Sequence, residues 1–200
     1  RPYETEKGSA QKLFNECSDL FKECILKQKH NYFENIVRYA SGEFSKLPVS
    51  DAVKPRIGIV GEILVKYHSG ANEHITDIIE SEGGEVVPTD LASFLLYCLF
   101  DDVYARRELA GGLAANLAAR AAISVIEHMR NPIKKVLEGT KFGKINSIYQ
   151  LAEKAESVVS CANQGGEGWL LTAEMMTLLD EGIKNIICIQ PFACLPNHIT

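Results

Sequence analysis

Three short β-branched runs, each shut off by glycine or proline and separated by stretches of helical periodicity, leave this chain few folds to adopt. The first is Arg56-Ile57-Gly58-Ile59-Val60-Gly61, after Pro55; the second is Glu85-Val86-Val87-Pro88, after Gly83-Gly84; the third is Ile186-Ile187-Cys188-Ile189, before Pro191. Short apolar runs without alternation read as strands covered on both faces, which is the habit of parallel sheets. A parallel pair needs a crossover of a dozen residues or more, usually a helix. Between the first two runs, Asn72 is placed to cap a helix whose Ile75, Ile78 and Ile79 fit a 3.6-residue period, with Gly83-Gly84 closing it. The order β-α-β-α(n)-β predicts an α/β fold: a small doubly wound parallel sheet of about three strands, the first in the middle, carrying many helices.

The remaining segments read as helices. Leu13, Phe14, Cys17, Leu20, Phe21, Cys24 and Ile25 fall on one stripe of a helix over about residues 6–28. A second helix, about 32–45, is expected to bury Phe33, Ile36, Val37, Ala40 and Phe44. Pro48 and Pro55 punctuate a linker, so residues 1–50 form an N-terminal helical arm or hairpin and 51–200 the α/β domain. Residues 91–137 are helical in character, with Gly111-Gly112 as a break and Pro132 starting a further short helix; 141–144 is a loop. A helix over about 148–158 turns Leu151, Ala152 and Ala155 inward, and the next buries Leu170, Leu171, Met175, Leu178 and Leu179 before Gly182.

Composition excludes several classes. With 200 residues, 46% of them hydrophobic, the chain is long enough for a full core. A net charge of −5 offers no broad attraction for a phosphate backbone, so nucleic acid is not an expected partner. No apolar run spans ~30 Å of hydrocarbon and no cleavable leader precedes one, which points to a soluble, cytoplasmic protein with no membrane partner. Six cysteines in a reducing compartment stay as thiols, either small buried hydrophobes or metal ligands. The first residue is not methionine and the last follows a loop rich in functional residue types, so the chain reads as a fragment of a longer multidomain protein.

Ligands of such sheets bind outside the carboxyl ends of the strands. Four loops should converge there: 62–71, 89–90, 190–198, and 161–168, the last because a helix leading into a parallel strand begins at that edge. Gly165, Gly166 and Gly168 permit close backbone approach, and the helix starting beside Glu167 would offer N–H groups to an anion; a tight turn capping the helix explains the same glycines. The spacing fits neither the dinucleotide nor the P-loop fingerprint. Cys188, inside a strand, should point into the core. Cys194 lies on the following loop, where Cys161 could approach it, although two or three cysteines without a C-x-x-C spacing are a sparse ligand set. His198, His68 and His74 are candidate acid–base groups or ligands, with Glu62, Glu167 and Asp90 placed to orient them, although His74 falls in the first turn of a helix, where a solvated residue is common. Of these, Glu62 and His198 are the groups expected to act.

Taken together, Arg56-Ile57-Gly58-Ile59-Val60-Gly61-Glu62, Tyr67-His68-Ser69-Gly70-Ala71-Asn72, Gly165 to Met175 with its Gly-Glu-Gly-Trp string, and Gln190-Pro191-Phe192-Ala193-Cys194-Leu195-Pro196-Asn197-His198 resemble a region of the acyl-CoA dehydratase activase-related proteins. That region is itself similar to the 2-hydroxyacyl-CoA dehydratase subunits, and the resemblance covers about residues 35–200. It implies an iron–sulfur cluster ligated by Cys194, with Cys161 or cysteines elsewhere completing the set. It also implies glycine-loop groups and Gln190 holding cluster or acyl-CoA, and proton handling by Glu62 and His198. The activase's ATP-binding motifs are absent, so the expected partner is an ATP-dependent activase or the rest of the parent chain. The expected role lies in ATP-linked low-potential electron transfer or acyl-CoA dehydration, the fragment not being active alone. A non-catalytic structural or interaction domain of a large protein is the alternative, and it expects the cysteines simply to be buried.

Overall fold

A computed structural model describes residues 1–29, 32–108, 112–191 and 194. Along these the elements are α1 (Ser9–Leu26), α2 (Phe33–Lys46), β1 (Arg56–Gly61), α3 (Ile63–Tyr67), α4 (Ile75–Ser81), β2 (Glu85–Pro88), α5 (Leu91–Glu108), α6 (Leu113–Leu137), α7 (Ile148–Glu156), α8 (Gly168–Asp180) and β3 (Asn185–Ile189). The three β-branched runs are the three strands. They form an all-parallel sheet in the order β2-β1-β3, with Ile59 opposite Pro88 on one side and Ile187 on the other. The fold is a small α/β fold with β1 central. Only β1 is buried along most of its length; β2 and β3 are half-covered, because a three-stranded sheet has two edges and only its middle strand is flanked on both sides. Cys188 is exposed for this reason, against the expectation that it points into the core.

Contacts within the chain divide it into two compact units: Arg1–Val53 with His128–Ile145, and Lys54–Glu127 with Asn146–Thr200. In the first, α1 and α2 pair through Phe21 and Phe33, whose ring centroids are 4.9 Å apart, and the Tyr39 hydroxyl donates to Glu16 at 2.6 Å. Cys17 and Cys24 are buried on α1, but Phe14 and Ile25 are exposed and α2 buries no residue fully. The apolar stripes read from sequence are wider than the narrow seam along which two helices touch.

In the second unit α8 lies between two apolar clusters. One of its sides joins Leu171 and Leu178 to Val60 and Ile183 beneath the sheet; Trp169, Leu170 and Ala173 enter a larger cluster with Leu96, Tyr97, Phe100, Ile123, Ile148 and Leu151. A helix apolar around most of its circumference is the expected solution for such a position. Leu179, read as buried, is exposed at its far end. Two local differences from the sequence reading have clear causes. Residues 63–67 form a helical turn rather than loop because the Glu62 carboxylate accepts the Val65 N–H at 3.0 Å, and α6 continues through Pro132 instead of restarting there. Gly111, half of the expected break, is outside the described residues.

Candidate functional site

The carboxyl edge of the sheet is built around Gly61. Its φ is 134°, and a Cβ there would lie 1.9 Å from the Ile189 carbonyl oxygen. With no side chain in the way, the ends of β1 and β3 close together and Ile189 O accepts the Glu62 N–H at 3.0 Å. The chain then turns into α3, from which Ile63, Lys66 and Tyr67 reach the turn before α8, α8 itself and the loop after β2. The Ile63 N–H donates to Glu167 Oε1 at 3.0 Å, Lys66 Nζ donates to both carboxylate oxygens of Glu174 at 2.8 and 2.9 Å, and the Tyr67 hydroxyl donates to the Thr89 carbonyl at 2.9 Å. Residues after β1, β2 and β3 and before α8 therefore meet at one rim. In a sheet ordered 2-1-3 this is the β1/β3 switch point, the edge at which doubly wound sheets bind their ligands.

The rim is polar and largely dry. The Lys66 and Glu174 side chains are each 5% exposed, and Glu167 is buried as well. Burial raises the Glu174 carboxyl above its ordinary value even though the Lys66 ammonium and the Thr89 hydroxyl pull it down. Burial also pushes the Tyr67 phenol up to about 12, with the Glu174 and Asp90 carboxylates adding to it. The Lys66 ammonium lies 5.1 Å from the Tyr67 ring centroid, a cation–π contact. Gln190 Oε1 is buried there without a hydrogen bond. Charged groups of this kind are costly to bury and collect at functional sites more often than elsewhere.

Of the residues expected to act, Glu62, Glu167 and Gln190 lie at this rim, Glu62 and Glu167 spending carboxylate oxygens on backbone N–H groups. Gly165, Gly166 and Gly168 form the turn into α8, Gly166 at φ 66° and Gly168 at φ 40°. The N–H groups of Gly168, Trp169 and Leu170 donate to the carbonyls of Gly165, Asn163 and Glu167. The helix start thus satisfies with its own loop the donors it was expected to offer an anion. Cys161 is 1% exposed in the aromatic cluster and its thiol donates to the Ala152 carbonyl at 3.7 Å. Cys188 lies near the end of β3 and Cys194 on the loop after it, close enough that the Cys194 thiol adds to the rise of Cys188. Although Cys188 as a residue is exposed, the protein around its sulfur raises the thiol, while the Gln190 amide at 3.7 Å opposes that. His198 lies outside the described residues. His68 accepts the Ala71 N–H at an exposed turn and His74 is exposed beside Asp77. Lys66, Tyr67, Thr89 and Glu174 were not singled out as site residues from sequence; the available signal was one carboxylate, Glu174, inside the otherwise apolar run from Trp169 to Met176.

Fold and rim define a small parallel α/β domain with a buried ion pair at the switch point of its sheet. No family model matches the chain, and no curated protein and no solved structure matches it either. An iron–sulfur cluster draws on about three or four thiolates. Among the described residues, Cys188 and Cys194 are the only two thiols at the rim, Cys161 is committed to the core, and no three His, Cys, Asp or Glu side chains converge as a metal site. The described donor set does not fit a cluster by itself. No helix among the described residues is long and apolar enough to cross a membrane.

Proposed function

We propose that this chain is a ligand-binding domain of a protein related to the 2-hydroxyacyl-CoA dehydratases, and that it serves ATP-linked low-potential electron transfer or acyl-CoA dehydration together with the rest of its parent chain or a separate activase. The observation that carries the reading is the buried Lys66–Glu174 pair at the β1/β3 switch point, flanked by Glu62, Glu167 and the unpartnered Gln190 oxygen. In this reading Lys66 supplies positive charge to a thioester carbonyl or a phosphate, and Glu62 takes or returns a proton. Cys194 is a thiolate donor whose remaining co-ligands come from outside the described residues.

Calorimetric titration with a CoA thioester tests the site. Saturable binding, weakened about tenfold in Lys66→Gln by loss of the charge-assisted contact to the ligand, worth ~1.5 kcal/mol, is the expected result. Anaerobic reconstitution of the full-length parent chain with iron and sulfide tests the metal, because all six cysteines of these 200 residues are accounted for and the other ligands must come from beyond them. A visible charge-transfer band lost in Cys194→Ala is expected, whereas a folded, colourless protein that takes up neither iron nor thioester overturns the proposal. That same outcome is what a non-catalytic interaction domain gives, a reading favoured by the burial of Cys17, Cys24 and Cys161.

A further inference from the structure

A second polar cluster lies away from the rim, where α5 meets the start of α8. Asp101 Oδ1 and Trp169 Nε1 are both buried and neither has a hydrogen bond of good geometry, although the indole N–H is the group that offsets the burial of this carboxyl. Buried polar atoms are rarely left so, and each such case calls for a physical reason. The surroundings clamp a loop. Tyr97 on α5 donates its hydroxyl to the Gln164 carbonyl at 2.8 Å, and Gln164 Nε2 donates to the Asp101 carbonyl at 3.2 Å. The Trp169 ring packs against Tyr97 and Phe100 at 5.1 and 5.3 Å. Residues 163–168 are thus pinned to α5 at one end, and through Glu167 they hold the Ile63 N–H at the other.

We propose that Asp101 and Trp169 form a pH-operated latch on this loop: with Asp101 neutral the indole and the loop stay docked on α5, and with Asp101 ionised the carboxylate draws water to itself and the loop loosens. The latch stands independently of what the rim binds.

The electrostatics around the pair support this. Burial, with the neighbouring Asp102 adding to it, pushes the Asp101 carboxyl from its ordinary 3.8 up to about 7. Titratable groups of the same neighbourhood are Tyr97, Cys98 and Asp102 on α5 and Cys161 and Glu167 on the segment before α8, none of them a cation. Arg120 on α6 is bonded to Asn116, and α7 meets this cluster through the apolar Ile148, Leu151, Ala152 and Ala155, with Tyr149 edge-on to Phe100. Because the folded-state value is raised, the unfolded chain ionises first. The contribution of this carboxyl to stability is fully present below about pH 4 and is lost as pH rises toward 7, and the native state changes charge in the last part of that window.

Trp169 is the chain's one tryptophan, so its emission reads the latch directly. The expected result is a red shift with a midpoint near pH 7, absent in Asp101→Asn, with faster amide exchange of residues 163–168 above the midpoint. Asp102→Asn, an exposed change that leaves the fold intact, should lower the midpoint by a few tenths of a pH unit and decides the matter if Asp101→Asn does not fold. Emission that is flat through this range, or a transition unmoved in either variant, overturns the latch, as does loop exchange that ignores pH beyond its intrinsic dependence.

Discussion

Gly168 sits at φ 40°, and an added Cβ would lie 1.9 Å from the Asn163 carbonyl oxygen and 2.9 Å from the Tyr97 hydroxyl. Gly165, three residues earlier, has open space around the same position. One glycine of the cluster is thus sterically required and another is not. Gly168→Ala is expected to lower unfolding free energy by ~3 kcal/mol or more, and Gly165→Ala to stay within about 0.5 kcal/mol, measured as urea midpoints at constant slope. The sequence could mark the cluster as a turn, but not which glycine carries the strain, since φ and close approach depend on Asn163 and Tyr97 meeting it. Cys161 shows the same limit: its neighbours in sequence suggest a reactive loop, while Ala152 and the aromatic cluster, brought in by folding, make it a core residue.

At the scale of elements, α7 is the helix best specified locally. Ser147 and Gln150 form a reciprocal capping box, and Ile148, Leu151, Ala152 and Ala155 repeat on its buried side. Ser147→Ala should cost about 1 kcal/mol and shift the midpoint of thermal unfolding by several degrees, visible in circular dichroism. Leu151, Ala152 and Ala155 were legible as inward from periodicity, the three strands from their short β-branched runs, and the central place of β1 from element order. The short α3 was not, because its start depends on the Glu62 carboxylate turning back to its own backbone. The exposed Phe14 and Ile25 were misread because periodicity reports which side of a helix is apolar and not how much partner surface exists to cover it.

Across the described residues, burial is concentrated in β1, α5, α7 and the first part of α8, whereas α2 buries nothing fully. Native-state hydrogen exchange read by mass spectrometry should therefore find the slowest amides at Val60 and Leu171, and the fastest helical amides in α2. Uniform protection across both units would contradict this distribution. The parallel topology and the meeting of loops at one edge follow from element order, and so could be anticipated. The identity of the charged pair could not, since Lys66 and Glu174 are far apart in sequence and only the crossing of α8 behind β1 brings them into contact.

That separation governs when the rim can exist. Its bonds join residues 104 and 108 positions apart, Ile63 with Glu167 and Lys66 with Glu174. During synthesis the amino-terminal partners emerge first and stay hydrated and unmatched while more than a hundred further residues are added. The rim closes only as α8 and β3 leave the ribosome, so a nascent chain halted before Gly168 carries the sheet's centre and Glu167 but lacks the Glu174 carboxylate that neutralises Lys66.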